Sequence, residues 1–281
     1  MPWQLSMASD IGGRSEQQDC LEILSSDRGD FHLVVVADGM GGHRDGALAA
    51  RTVIETARRQ FNAGQPSDPR DFLEKLCLEA HREISALGED EARSPGSTCV
   101  ALYLQGPEAY WAHVGDSRLY HFRKGRLVNQ TEDHSVAQLM VSQGRLKESD
   151  AAVSALQNQL YMRLGGSERP DPEFGASEVE ADDMFMLCSD GFWSSVEPQE
   201  VLAILGNAPV EDDSAGRLVE NAHERGGATG DNISLVVLRW LPDNANARGV
   251  LTRFFAMLIP DSSGNASIRR LRHRLQSLRC R

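Results

Sequence analysis

One stretch constrains this chain more than any other: Val34-Val35-Val36-Ala37-Asp38-Gly39-Met40-Gly41-Gly42-His43. Its β-branched, apolar half predicts a strand buried on both faces, and the run stops at a carboxylate followed by three glycines in four positions. Alone, an Asp-Gly after a strand marks only a turn. Here the device recurs. Met184-Phe185-Met186-Leu187-Cys188-Ser189 runs into Asp190-Gly191, Tyr110-Trp111-Ala112-His113-Val114 runs into Gly115-Asp116-Ser117-Arg118, and Gly230-Asp231-Asn232 directly precedes the apolar run Ile233–Leu238. Carboxylates held at the ends of several buried strands can converge on one rim of a sheet. Unpaired carboxylates brought together in this way are costly unless a cation neutralises them.

The rest of the chain supplies a body for that strand. Its 281 residues suffice for a sizeable core. Trp3–Ser9 and Cys20–Leu24 predict two strands around the polar segment Ser9–Asp19. Apolar residues at helical spacing over 45–61 predict a helix. A second helix is signposted by Asp68 as N-cap, Pro69 at the first position, the stripe Phe72, Leu73, Leu76, Ala80, Ile84 and Leu87, and Gly88 as its end. The two should pair antiparallel. Short strands follow over 97–104, 108–114, 117–123 and 126–130, then a helix near 136–143, strands over 174–179 and 184–188, helices over 198–205 and 212–224, and a closing strand over 232–240. Residues 144–165 are helical in propensity but weakly periodic, and read as a mobile excursion outside the core. Strands outnumber what an alternating parallel sheet would use, so the class is α+β: stacked antiparallel sheets with helices outside.

Charge divides the chain unevenly. The net charge is −12, which argues against nucleic acid as a partner. Residues 243–281 hold eight arginines and two aspartates, a net of +6, leaving −18 on residues 1–242. The boundary is expected at Pro242–Asn246, dividing a body over 1–242 from a basic tail over 243–281. In that tail Ile268, Leu271, Leu275 and Leu278 line up as one stripe of an arginine-rich helix, suited to an acidic face of its own domain, a partner or a membrane surface. A solvated tail is the plainer alternative. Five cysteines without C-x-x-C spacing, and a polar start with no apolar leader, predict a cytoplasmic protein.

Oxygen ligands without His or Cys clusters select Mg2+ or Mn2+ over zinc. Two such ions sharing a carboxylate would hold a water between them, lower its pKa and present hydroxide to an electrophile. Asp38 has the position for that bridge, Gly39 leaves its carbonyl open to close approach, and Arg14 offers a forked clamp for a phosphate. Metal-assisted hydrolysis of a phosphate monoester is the chemistry these parts suggest.

The segments Gly12-x-Arg14-x-x-Gln17-Gln18-Asp19, Asp38-Gly39-Met40-Gly41-Gly42-His43, Gly115-Asp116-Ser117-Arg118, Asp133-His134-Ser135, Ser189-Asp190-Gly191 and Gly230-Asp231-Asn232 stand in this order over residues 5–240. Together they resemble the PPM (protein phosphatase 2C) family of metal-dependent serine/threonine phosphatases, bacterial branch. That resemblance implies a four-layer α-β-β-α fold, a central sandwich of two antiparallel sheets flanked by helical pairs. It implies phosphoprotein substrates and an opposing Ser/Thr kinase. It further implies Asp38 as bridging metal ligand, Gly39 as carbonyl ligand, Asp190 and Asp231 as the other direct ligands, and Asp19 as the acid that holds metal-bound water. Asp116 matches a ligand of the third, weaker metal of bacterial members, and Arg14 the phosphate-binding arginine. Asp10 and Asn232 are placed beside the site, and residues 144–165 match the family's variable flap.

Two departures stand out. Gln18 replaces the glutamate usual before Asp19, which removes one water-holding charge. Met40 stands where animal members often carry a histidine, so the leaving group must be protonated from elsewhere. Plainer readings apply to other residues. Arg14 alone would pair with Asp10 or Glu16, and Asp116 would merely tie its loop through Arg118. His43 and His134 read as structural, His113 as a satisfied core or rim histidine, and Cys188 as a buried apolar residue. Besides an active phosphoprotein phosphatase, the sequence admits a phosphoprotein-binding pseudo-phosphatase, for which Gln18 speaks. A small-molecule phosphatase or nucleotide hydrolase lacks the expected G-x-x-x-x-G-K-[ST] loop.

Overall fold

The computed structural model describes residues 3–41, 44–88, 94–151, 154–206 and 209–241. The expected tail over 243–281, and His43, lie outside the described residues.

Two antiparallel sheets form the centre. The first has the order β1 (Trp3–Asp10), β11 (Ile233–Trp240), β10 (Met184–Cys188), β7 (Arg118–Arg123) and β8 (Arg126–Gln130). The second runs β2 (Asp19–Ser25), β3 (Phe31–Met40), β5 (Cys99–Gln105), β6 (Glu108–Val114) and β9 (Glu173–Glu178), with the two-residue β4 (Gly96–Ser97) paired to the end of β3. Alternation along β3 explains why its valine run must be buried twice. Leu33, Val35 and Ala37 face the helices α1 (Arg44–Asn62) and α2 (Pro69–Ser85), while Val34 and Val36 face Leu187, Val236 and Leu238 of the other sheet. A third apolar layer covers the far face of the first sheet with α5 (Asp190–Trp193), α6 (Pro198–Leu205) and α7 (Ser214–Gly226). Three cores between four layers make the α-β-β-α architecture.

Local signals act as anticipated at α2, where the Asp68 side chain accepts from the Arg70 and Asp71 amides and Pro69 opens the helix. Helices α1 and α2 are joined by polar pairs, with Thr56 Oγ1 donating to Glu83 at 2.9 Å and Gln60 Nε2 to Glu79 at 2.6 Å. Among the described residues no helix is long and apolar enough to cross a membrane.

Two features differ from the sequence reading. The central strand does not stop at Asp38. It runs on to Met40 because Gly39 and Met40 pair with Ser97 and Gly96 of β4. Nor is the excursion at 144–165 detached from the core. Its helical part shrinks to α4 (Glu148–Ala151), which follows α3 (Val136–Ser142), and the later residues are tied down by distant partners. Leu164 is fully buried and exchanges backbone hydrogen bonds with Ser97 at 3.0 and 2.8 Å, Leu160 bridges Ser135, and the Gly165 amide donates to His81 Nδ1 at 3.1 Å. Tertiary pairing overrides helical propensity here.

Asp183 anchors the opposite end of the sandwich. It is fully buried, accepts from Arg123 Nε and Nη2 at 2.9 and 2.7 Å, and lies 3.0 Å from His121 Nε2. Burial pushes its carboxyl up, but the hydrogen bonds from Arg123 and His121 outweigh it and hold it down at about 2. The folded protein therefore binds this proton less readily than the unfolded chain. Its contribution is complete above the ordinary carboxylate range and disappears as pH falls through about 2. Replacing Asp183→Asn should lower unfolding free energy at pH 7 by about 2 kcal/mol and flatten the stability curve between about pH 4 and pH 2, as read by urea titration.

Candidate active site

Five carboxylates meet at one rim of the sandwich, each delivered by a different segment. Asp19 opens β2 and Asp38 lies near the end of β3, directly opposite each other in the ladder. Asp116 sits in the turn between β6 and β7, Asp190 is the first residue of α5, and Asp231 lies two residues before β11. Asp38 is at the centre: its carboxyl is pushed well above the ordinary range first by withdrawal from water and then by Asp19, Asp190, Asp116 and Asp231 in turn. Burial and neighbouring charge also push Asp19 up to about 8, Asp190 to about 6, and Asp116 well above its ordinary value. Asp38 and Asp190 are within hydrogen-bonding reach of each other.

The scaffold holds these groups through backbone and hydroxyl contacts. Thr98 Oγ1 accepts from the Asp38 amide at 2.9 Å, and the Thr98 amide donates to the Asp38 carbonyl at 2.8 Å. Ser189 Oγ donates to Asp19 Oδ2 at 2.6 Å and itself accepts from the Ser234 amide at 3.0 Å. Gly39 is required for packing: a Cβ there would lie 2.0 Å from the Gly46 carbonyl oxygen of α1. Asn232 straps the loop between β1 and β2, donating to the Ile11 and Glu16 carbonyls at 2.8 and 3.0 Å and accepting from the Gln18 amide at 2.7 Å. That loop carries Arg14, whose Nη2 lies 2.6 Å from Asp231 Oδ2. The surface pairings expected of an isolated Arg14, with Asp10 or Glu16, are not the ones made.

Arg118 does not tie down Asp116 either. Its guanidinium forks onto Asp133 with two contacts of 2.8 Å and lies 3.6 Å above the Trp193 ring. Trp193 Nε1 in turn donates to the Asp116 carbonyl at 2.8 Å. The Asp116 turn is therefore gripped through its backbone, leaving its carboxyl to the cluster. Sequence reading singled out neither Trp193 nor the Ser189 and Thr98 hydroxyls as supports. Ser189 and Trp193 have only their nearness to Asp190-Gly191 as a sequence signal, and Thr98 has none.

Cys188 is buried beside the site and its thiol is pushed far up by that burial, so it is no nucleophile. His113, His134 and Glu173 bring one potential ligand atom each within 4.8 Å of one another. His113 Nε2 donates to the Glu132 carbonyl at 2.8 Å, so its Nδ1 carries the lone pair and, contrary to the expectation of a satisfied histidine, is buried without a hydrogen-bond partner among the described residues. His134 Nδ1 accepts from the Gly115 amide at 3.1 Å, so Nε2 carries the hydrogen, and the two imidazoles stack at 4.6 Å and 25° rather than pointing at a common centre. Burial keeps both neutral, with His134 pushed down to about 4.

The carboxylate cluster does fit divalent cations. Asp19 Oδ1 and Asp190 Oδ1 are buried without a hydrogen-bond partner among the described residues, and the donors are hard oxygens, which suit Mg2+ or Mn2+.

Residues 8–216 match the family described as protein phosphatase 2C. Protein phosphatase PhpP of Streptococcus pneumoniae is 28% identical over 247 residues, covering 86% of this chain and 99% of that protein. Among solved structures, the serine/threonine phosphatase of S. agalactiae is 29% identical with a TM-score of 0.76, covering 84% of this chain and 98% of that one. The catalytic domain of the serine/threonine protein phosphatase PstP in complex with two manganese ions is 30% identical with a TM-score of 0.71, covering 84% and 97%. The chain belongs to the protein phosphatase 2C family, whose members are metal-dependent phosphoprotein hydrolases.

The raised carboxyls have a thermodynamic consequence. With the cluster holding protons that the unfolded chain releases near pH 4, stability in chelator should fall as pH rises from about 4 to 8, and Mn2+ should restore it. Calorimetry in buffers of different ionisation enthalpy should record proton release on Mn2+ binding at pH 6–7. Separately, Arg118→Ala leaves Asp133 buried and unpaired and should cost about 3–5 kcal/mol, whereas Trp193→Phe, losing one hydrogen bond, should cost about 1 kcal/mol in denaturant titrations.

Proposed function

We propose that this chain hydrolyses phosphoserine and phosphothreonine in phosphoproteins, using two Mn2+ or Mg2+ ions and no covalent intermediate. What carries the reading is the meeting of five carboxylates from five segments around Asp38, with an arginine at their edge. Asp38, the Gly39 carbonyl, Asp190 and Asp231 would hold the two ions; Asp19 would orient water beside them, and Asp116 would serve a third, weaker ion. Bound there, the ions would act as Lewis acids that lower the pKa of water and offset the charge developing on a phosphate monoester.

The chain's own residues supply the rest. Arg14 is half-exposed and already aligned with a carboxylate oxygen, so its fork can take two phosphate oxygens of a substrate arriving from solvent. Ser189 fixes one oxygen of Asp19 and leaves the other facing the cluster. Thr98 and the β4 pairing keep Asp38 and Gly39 in extended backbone, so their positions do not depend on a loop. Met40 carries no acidic proton, so a leaving serine or threonine oxygen takes its proton from water. The phosphomonoester consumed is the product of phosphoryl transfer to a hydroxyl, so the opposing activity is a Ser/Thr kinase. Cys77, Cys99 and Cys188 form no disulfide, consistent with the reducing cytoplasm.

Hydrolysis of a phosphothreonine peptide should require Mn2+ or Mg2+, stop with chelator, and fall about 10²–10³-fold in kcat with Asp38→Asn. Arg14→Ala should raise KM about 10–100-fold with a smaller change in kcat. A folded wild-type protein that binds Mn2+ and phosphopeptide without turnover would overturn the hydrolase reading in favour of phosphoprotein binding.

A further inference from the structure

Arg14 stands on a turn that has little stiffness of its own. Gly12 has a φ of +60°, and both Gly12 and Gly13 press so closely on the segment before β11 that a Cβ would lie 2.0 Å from the Asp231 carbonyl oxygen or 2.2 Å from that of Ala228. The turn is pinned to that segment by the Gly13 amide donating to the Gly230 carbonyl at 2.9 Å, and by Asn232. One further tie comes from a helix. His223 Nδ1, in the last turn of α7, lies 2.7 Å from Asp10 Oδ1, and that same oxygen accepts from the Gly12 amide at 2.7 Å. A carboxylate oxygen only accepts, so Nδ1 is the donor. The base of this tie is fixed, because Leu218, Val219 and Ala222 of α7 are buried against the first sheet.

Resting on the reading that Arg14 binds the substrate phosphate, we propose that His223 is a positioning residue: through Asp10 it fixes the Gly12 turn and so the place of the Arg14 guanidinium. His223 acts at a distance from the chemistry and touches neither Arg14 nor any of the five clustered carboxyls among its recorded partners. Asp10 is the intermediary because it faces both ways, closing its own turn through the Gly12 amide and receiving the helix through the imidazole. The pair is partly exposed, 46% for His223 and 40% for Asp10, and contacts of this kind have a modest effect, about fivefold in an equilibrium constant at most.

The test is His223→Ala beside His223→Asn, whose side-chain amide presents a donor near the place of Nδ1. Two readouts apply: steady-state kinetics on a phosphothreonine peptide at saturating Mn2+, and exchange of the Gly12 amide hydrogen in the protein without substrate. His223→Ala should raise KM about two- to fivefold with kcat within about twofold and should speed Gly12 exchange, while His223→Asn restores both. The proposal is overturned if His223→Ala leaves KM and Gly12 exchange at wild-type values, or if both variants lose kcat equally, which is the mark of general destabilisation. Lack of turnover by the wild type would instead sink the phosphatase reading, and Gly12 exchange would still decide whether His223 holds the turn.

Discussion

Everything at the functional rim follows from like charges gathered where water is scarce. Asp38 and the four carboxylates around it repel one another, and their burial makes the repulsion expensive, so the chain must hold them by something stronger than their own preference. It does so with backbone. Asp19 and Asp38 face each other across a ladder, Asp38 is bonded on its other side to Thr98, and Asp190 and Asp231 lie on the two neighbouring strands' ends. Sheet pairing is cooperative and continuous with the core, so opening the site means unzipping strands whose side chains are fully buried.

The supports are mostly uncharged. Hydroxyls of Ser189 and Thr98, the amide of Asn232 and the indole of Trp193 hold the acids or their backbones without adding charge to a site that must accept cations. Arg14, a cation at the edge, is exposed and mounted on a glycine turn. A buried anionic cluster is thus bordered by an exposed arginine on a turn tied to the segment before β11.

Much of this was legible from residue order. The alternation of Leu33, Val35 and Ala37 with Val34 and Val36 required cover on both faces, and the capping signals at Asp68 and Pro69 placed α2. The carboxylates announced themselves by ending apolar runs. What escaped were features set by distant pairing. Nothing local to Gly39 and Met40 says that residues 96–97 will extend their strand, and nothing around Leu164 says that it will bond Ser97, because helical propensity in that stretch is a weak preference beside a buried backbone pair. Arg118 looked like the partner of Asp116 because the two stand two residues apart in the chain; the guanidinium instead forks onto Asp133 and lies over the flat face of Trp193.

The pairing of β1 with β11 carries a consequence for synthesis. Within this domain the strand leading to Arg14 is translated first, yet among the described residues its neighbour in the first sheet is residues 233–240, translated more than two hundred residues later. The second sheet and its two helices use only residues up to 178 and can assemble meanwhile. The nascent domain thus carries the strand before Arg14 unpaired until nearly all of it exists. A partly made domain lacks Asp231 and the strand beside it, so the five carboxylates come together only once the first strand has been captured by the last.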